Sequence, residues 1–206
     1  MKFLAITLLL LTSIFLIVCS ANQANKKISN SELENLAKQY GGVYIFNQKF
    51  VDEIERREKE RSDYMDDFFR NNKRNFKRSD LEIMDQKLPQ ILSNGKRYYA
   101  RWIDYERDTG KKAEVPEIYI NKIKEFIGDD FLKEEPRIYP KYMYFDGKEM
   151  RIIKIYLSYT YIETKYGLFG DEGRGVSFTK ESFGTKSGDN IFYLTNNKFI
   201  KANKDK

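Results

Sequence analysis

Apolar positions fall on helical spacing in the first half of the chain and on alternate positions in the last third. Ser31-Glu32-Leu33-Glu34 has the pattern of a capping box and Gly41-Gly42 a stop, so a short helix is predicted over Glu32–Tyr40. Val43–Phe46 is a brief apolar run with no decisive period. From Asn47 to about Phe76 the positions Phe50, Ile54, Met65 and Phe68/Phe69 mark a long helix. Its middle has no apolar residue between Ile54 and Tyr64, leaving helix propensity and pairs such as Glu53–Arg57 and Glu55–Lys59 to hold it. A second capping pattern, Ser79-Asp80-Leu81-Glu82, opens a helix over Asp80–Lys87 that Pro89 ends. Pro116 and Gly128 bracket a third, Glu117–Ile127, with Ile120, Ile123, Phe126 and Ile127 on one face.

Past residue 137 the period becomes two. Ile138–Phe145, a turn at Asp146-Gly147 and Met150–Tyr166 form a hairpin; Gly175–Phe183, Asn190–Thr195 and Lys198–Ala202 follow, the last two joined at Asn196-Asn197. Residues 97–106 fit two patterns. Turn signals at Asn94-Gly95 and Thr109-Gly110 favour a strand in a meander, but Tyr98, Tyr99, Trp102 and Ile103 also share a helical face. Helices first and mostly antiparallel strands last predict an α+β fold. The order resembles that of the ketosteroid-isomerase-like family, which implies a cone-like roll with helices closing one mouth of a curved sheet.

The first residues have their own pattern. Lys2 is followed by an uncharged run from Phe3 to Cys19 and then by small and polar residues, the three-part layout of a secretory signal. Leu16-Ile17-Val18-Cys19-Ser20 resembles the leader box of bacterial lipoproteins, with Val18 where that family usually has Gly, Ala or Ser. The resemblance implies a signal peptide over 1–18, cleavage before Cys19, lipid such as palmitate on that cysteine, and a membrane-anchored envelope protein. Two alternatives stay open: cleavage after Ala21, giving a soluble secreted chain, and a retained anchor. Residues 19–30 read as a flexible Asn/Ser/Lys-rich tether, and 31–206 as one domain.

Composition removes most catalytic schemes. The 206 residues contain no histidine and one cysteine, which lies in the leader. That excludes Ser-His-Asp and Cys-His relays, histidine-ligated metals and an intramolecular disulfide. No cofactor, metal motif, dinucleotide fingerprint or nucleophile elbow is legible, and none is expected. The formal net charge of +6 is mild, and for an exported chain nucleic acid is not the expected partner.

Four groups remain as candidates. Tyr98, Tyr99, Arg101 and Trp102 place aromatic faces beside charge, as ligand pockets do, although a sole Trp is commonly core. Asp104, between Ile103 and Tyr105, has apolar neighbours whose burial would raise its pKa; with Tyr98 or Tyr99 as donor it is the base of an alternative pocket-enzyme reading. Arg70, Lys73, Arg74, Lys77 and Arg78 form a basic stripe if helical, facing anionic lipid or merely matching the helix dipole. Gly167–Gly175 has four glycines in its nine residues; it reads as a strand connection, or as an anion cradle around Arg174. The leading expectation is an exported, lipid-anchored binding protein that holds a protein partner or small ligand.

Overall fold

The computed structural model describes residues 28–171 and 175–202, so the leader, Cys19, most of the tether and Arg174 lie outside the described residues. The described chain is α+β, with six helices and a seven-stranded sheet. In chain order the elements are α1 (Asn30–Tyr40), β1 (Gly42–Ile45), α2 (Gln48–Asn71), α3 (Arg78–Lys87), β2 (Tyr98–Tyr99), α4 (Trp102–Thr109), α5 (Glu117–Ile127), α6 (Asp130–Lys133), β3 (Arg137–Phe145), β4 (Met150–Asp171), β5 (Gly175–Ser187), β6 (Asn190–Thr195) and β7 (Lys198–Lys201).

The sheet runs β2-β3-β4-β1-β6-β7, with β5 also paired to β4. Only β1–β6 is parallel. The brief run at Val43 is therefore the strand that splits the meander: it lies between β4 and β6, bonded to both. Each face of the sheet is covered by its own apolar cluster. On one, Leu33, Leu36, Tyr105, Ile123, Ile127 and Phe131 from α1, α4, α5 and α6 pack on Tyr44, Met143, Ile155, Leu157, Tyr159 and Phe192. On the other, Val51 and Ile54 of α2 pack with Leu92 on Ile45, Tyr98 and Ile153. Adjacent strand residues point to opposite faces, which is why Tyr44 and Ile45, or Tyr98 and Tyr99, belong to different clusters.

Several local expectations change. Helix α1 is capped by Ser29, whose Oγ accepts from the Glu32 N–H at 3.2 Å, two residues before the predicted cap. Helix α2 stops at Asn71, short of Phe76. The Asn72 backbone and side chain both donate to the Phe68 carbonyl, and Phe76 folds back to stack edge-on against Phe68 at 5.0 Å. Residues 97–106 are not a strand of a meander. Two residues, Tyr98 and Tyr99, pair with β3, and the rest starts α4, which turns Tyr105 inward against Tyr99 and ends at Gly110 with φ 68°. Gly167 and Gly170 belong to β4 and Gly175 to β5, so the described glycines of this stretch lie in paired strands and not in a separate loop, while Gly173 lies outside the described residues.

The crossing of α1, β1 and β6 depends on close backbone approach. Gly42 has φ +135°, and a Cβ there would sit 2.1 Å from the Asn190 carbonyl oxygen. The buried Asn190 amide donates to the carbonyls of Lys38 and Gly41, both at 2.8 Å, and so satisfies the end of α1.

Candidate functional site

Strand β4 is 22 residues long, and its neighbours do not follow it to the end. On one edge β3 accompanies it only from Met150 to Ser158. On the other edge β1 covers residues 154–157, and β5 takes over from Ser158 to Asp171. Beyond Ser158 the strand therefore keeps one partner among the described residues, and β4 and β5 leave the sheet as a two-stranded arm. The free edge of β4 begins where β3 begins, at Arg137, just after the α6 segment and Pro136 have turned the chain. Proline lacks an N–H and cannot extend the ladder upstream.

A groove of about 250 Å³ lies in this corner. Ile28 and Leu33 from the start of α1 form one wall, Ile162 and Phe183 of the arm another, and Glu134, Arg137, Asn30 and Thr160 supply polar groups. Arg137 donates to the Tyr139 hydroxyl at 3.5 Å. Two buried hydroxyls sit at the root of the arm without a hydrogen-bond partner among the described residues, Ser158 Oγ and Tyr159 Oη. Nearby, the Tyr40 hydroxyl donates to Asp130 at 2.8 Å, and burial first, then this carboxylate, push its pKa up to about 12. Asp130 also pairs with Lys133 at 2.6 Å, and its bond from Tyr40 joins α1 to α6.

Past the groove the arm is exposed on both faces. Tyr166 is 83% exposed, Leu168 73%, Val176 65% and Phe178 75%. No charge occurs in Tyr166–Gly170 or Gly175–Thr179, and Lys165 and Lys180 stand directly opposite each other at the border of this uncharged stretch.

The residues singled out by sequence are scattered by comparison. Tyr98 is fully buried and donates to Glu58 at 2.6 Å; burial, then Glu58, raises its pKa. Tyr99 lies on the opposite face of the sheet against Tyr105. Trp102 is half-exposed on α4 rather than in the core. Asp104 is held by Arg101 at 2.7 Å and Arg107 at 3.0 Å, and the Arg101 hydrogen bond leads in lowering its pKa, the reverse of the shift a general base needs here. Its position beside Ile103 was read as burial, but helical spacing brings two guanidiniums to it instead.

The basic stripe is also broken, because α2 ends inside it. Arg70 faces Asp67 at 3.8 Å, Arg78 faces Glu82 at 3.5 Å, and Arg74 makes a two-pronged bond to Asp80 while lying over the Phe68 ring. Lys73 and Lys77 fall in the connection between α2 and α3, where the Lys77 N–H donates to Asp80.

Among the described residues no group of three or more metal-ligating side chains converges, and no helix is long and apolar enough to cross a membrane. The arm was missed because a run of alternating residues does not say where its neighbours stop. The one sequence signal was the uncharged stretch on both sides of the glycines. Comparison of the chain with protein-family models, curated proteins and solved structures returned no match in any of the three.

Proposed function

We propose that the protein is an exported, lipid-anchored binding protein of the bacterial envelope, and that the groove at the root of the arm takes an extended segment of a protein partner. The observation that carries this is the free edge of β4 beside an apolar groove. Unpaired strand N–H and C=O groups accept an added strand, and alternate side chains of that strand reach flanking pockets. Ile28, Leu33, Ile162 and Phe183 offer the apolar contacts, while Arg137 and Glu134 offer both charges for choosing register. The lipoprotein-like box at Leu16–Cys19 supports the anchor and the envelope address.

Two measurements test the reading. Metabolic lipid labelling of the wild type against Cys19→Ser is expected to show label that depends on Cys19. Binding to a library of extended peptides is expected to fall at least tenfold for Ile162→Lys and Phe183→Lys, while Trp102→Ala, on the far helix α4, leaves it unchanged. Peptide binding that ignores Ile162 and Phe183 would remove the groove from the account.

A further inference from the structure

We propose that the outer part of the β4–β5 arm docks on the lipid surface to which the chain is tethered, with Tyr166, Leu168, Val176 and Phe178 dipping into the interface and Lys165 and Lys180 at headgroup level. This rests on the reading of Cys19 as the lipidated residue.

Reach is the first argument. Ile28, where the tether joins the described chain, and Ile162, where the arm leaves it, line the same groove. From Cys19 to Ile28 the chain spans at most about 32 Å when fully extended. From Ile162 to Asp171 the arm extends about 30 Å at the usual strand rise. Tether and arm thus start from one place with equal reach, and a bilayer holding the lipid is within range of the arm's tip.

The chemistry is the second argument. Four large apolar side chains, each at least 65% exposed, lie in the two uncharged stretches Tyr166–Gly170 and Gly175–Thr179, bordered by Lys165 and Lys180 on one side and by the charged run that starts at Asp171 on the other, so the arm lies along the interface with both borders at headgroup level. Such a patch on a slender ribbon marks an interaction surface. At its border Lys165 and Lys180 face each other in the ladder, an arrangement that repels in water and suits anionic phosphate between them. Glu163 lies 3.7 Å from Lys165 and tempers that charge, so apolar contact is the larger part of the affinity.

The uncharged stretch also sets how deep the arm goes. Five residues per strand are about half the 9–11 that a strand needs to cross a bilayer. The open ribbon edges would leave backbone groups unbonded in hydrocarbon, at heavy cost. The arm therefore lies in the interface and does not span.

The test uses the chain from residue 19 onward carrying Cys19→Ser, so that no lipid contributes, in flotation with vesicles of phosphatidylcholine alone or mixed with phosphatidylglycerol. Binding is expected to both, several-fold stronger with phosphatidylglycerol, and to drop at least tenfold in Leu168→Ser/Phe178→Ser. Trp102→Ser/Ile103→Ser, which removes two half-exposed apolar groups from α4, is expected to change it less than twofold. Absence of vesicle binding, binding that survives Leu168→Ser/Phe178→Ser, or a dimer that this variant dissolves without any lipid effect would each overturn the proposal. Melting temperatures of both variants check that the fold is intact. Lipid labelling of Cys19 in cells is read separately. Labelling without arm-dependent vesicle binding sinks the arm alone; arm-dependent binding without labelling removes the anchor and leaves the arm's lipid affinity in place.

Discussion

Two buried tyrosines on neighbouring strands carry opposite predictions. The Tyr44 hydroxyl donates to the Tyr40 carbonyl at 2.7 Å, whereas the Tyr159 hydroxyl has no partner among the described residues. A buried hydroxyl left unbonded costs about 1–3 kcal/mol, and one that is bonded contributes about 1 kcal/mol. Tyr159→Phe is therefore expected to raise the urea midpoint and Tyr44→Phe to lower it, each by about 1 kcal/mol in unfolding free energy. Equal effects of the two would contradict this hydrogen-bond assignment. Acid sensitivity is set at the same scale. The Arg74 guanidinium and the Lys77 N–H hold Asp80 down to about 2, and backbone N–H groups with Arg151 lower Asp146 in the same direction. A carboxylate with a depressed folded pKa stabilises fully above its unfolded value, near 4, and loses that contribution as pH falls through the folded one. Unfolding curves are expected to show wild type more stable than Asp80→Asn at pH 6, with the gap closing between about pH 4 and pH 2. A gap that does not change with pH would sever Asp80 from this staple.

Elements differ in what holds them, and the arm is the least held. Its residues packed on the core end near Tyr161, beyond which Ile162 lines the groove, Phe169 is half-buried and most other side chains face solvent. Two-stranded ribbons are marginal alone, so the arm draws its order from β4's rooted half. Replacing Glu163–Ser182 with a two-residue Asn-Gly turn is expected to leave the melting temperature within a few degrees of wild type, since neither cluster loses a buried side chain. A large drop would mean that the arm packs on the body. Amide exchange adds a check, with fast exchange expected in 163–182 and slow exchange in 152–157. The long helices and the Ile138–Tyr166 hairpin were legible because each has an apolar period and punctuated ends, as with Pro116 and Gly128 around α5. Residues 97–106 were not, because ten residues with aromatics on two periods fit either class, and Tyr105 packing on Tyr99 decided it. The end of α2 at Asn71 depended on a ring, Phe76, returning from five residues away. The candidate site was not legible, because the stopping point of β3 is a fact of pairing and not of composition.

For the whole molecule we propose an anchored domain that offers a strand edge and an apolar groove to a partner. Without histidine, and with Asp104 held between Arg101 and Arg107, the pocket-enzyme alternative lacks a base in its proposed place. A groove that shares Ile28 with the tether would lie within about 32 Å of the membrane, the reach of nine extended residues. A partner would then be met at the envelope surface. Site-specific photocrosslinking in intact cells tests this most directly, with the photoreactive residue placed at Ile162 in the groove or at Ile103 on α4. The account predicts one discrete crosslinked partner from Ile162, lost when Phe183→Lys is added, and none from Ile103. No adduct at Ile162, or the same adducts from both positions, would contradict it.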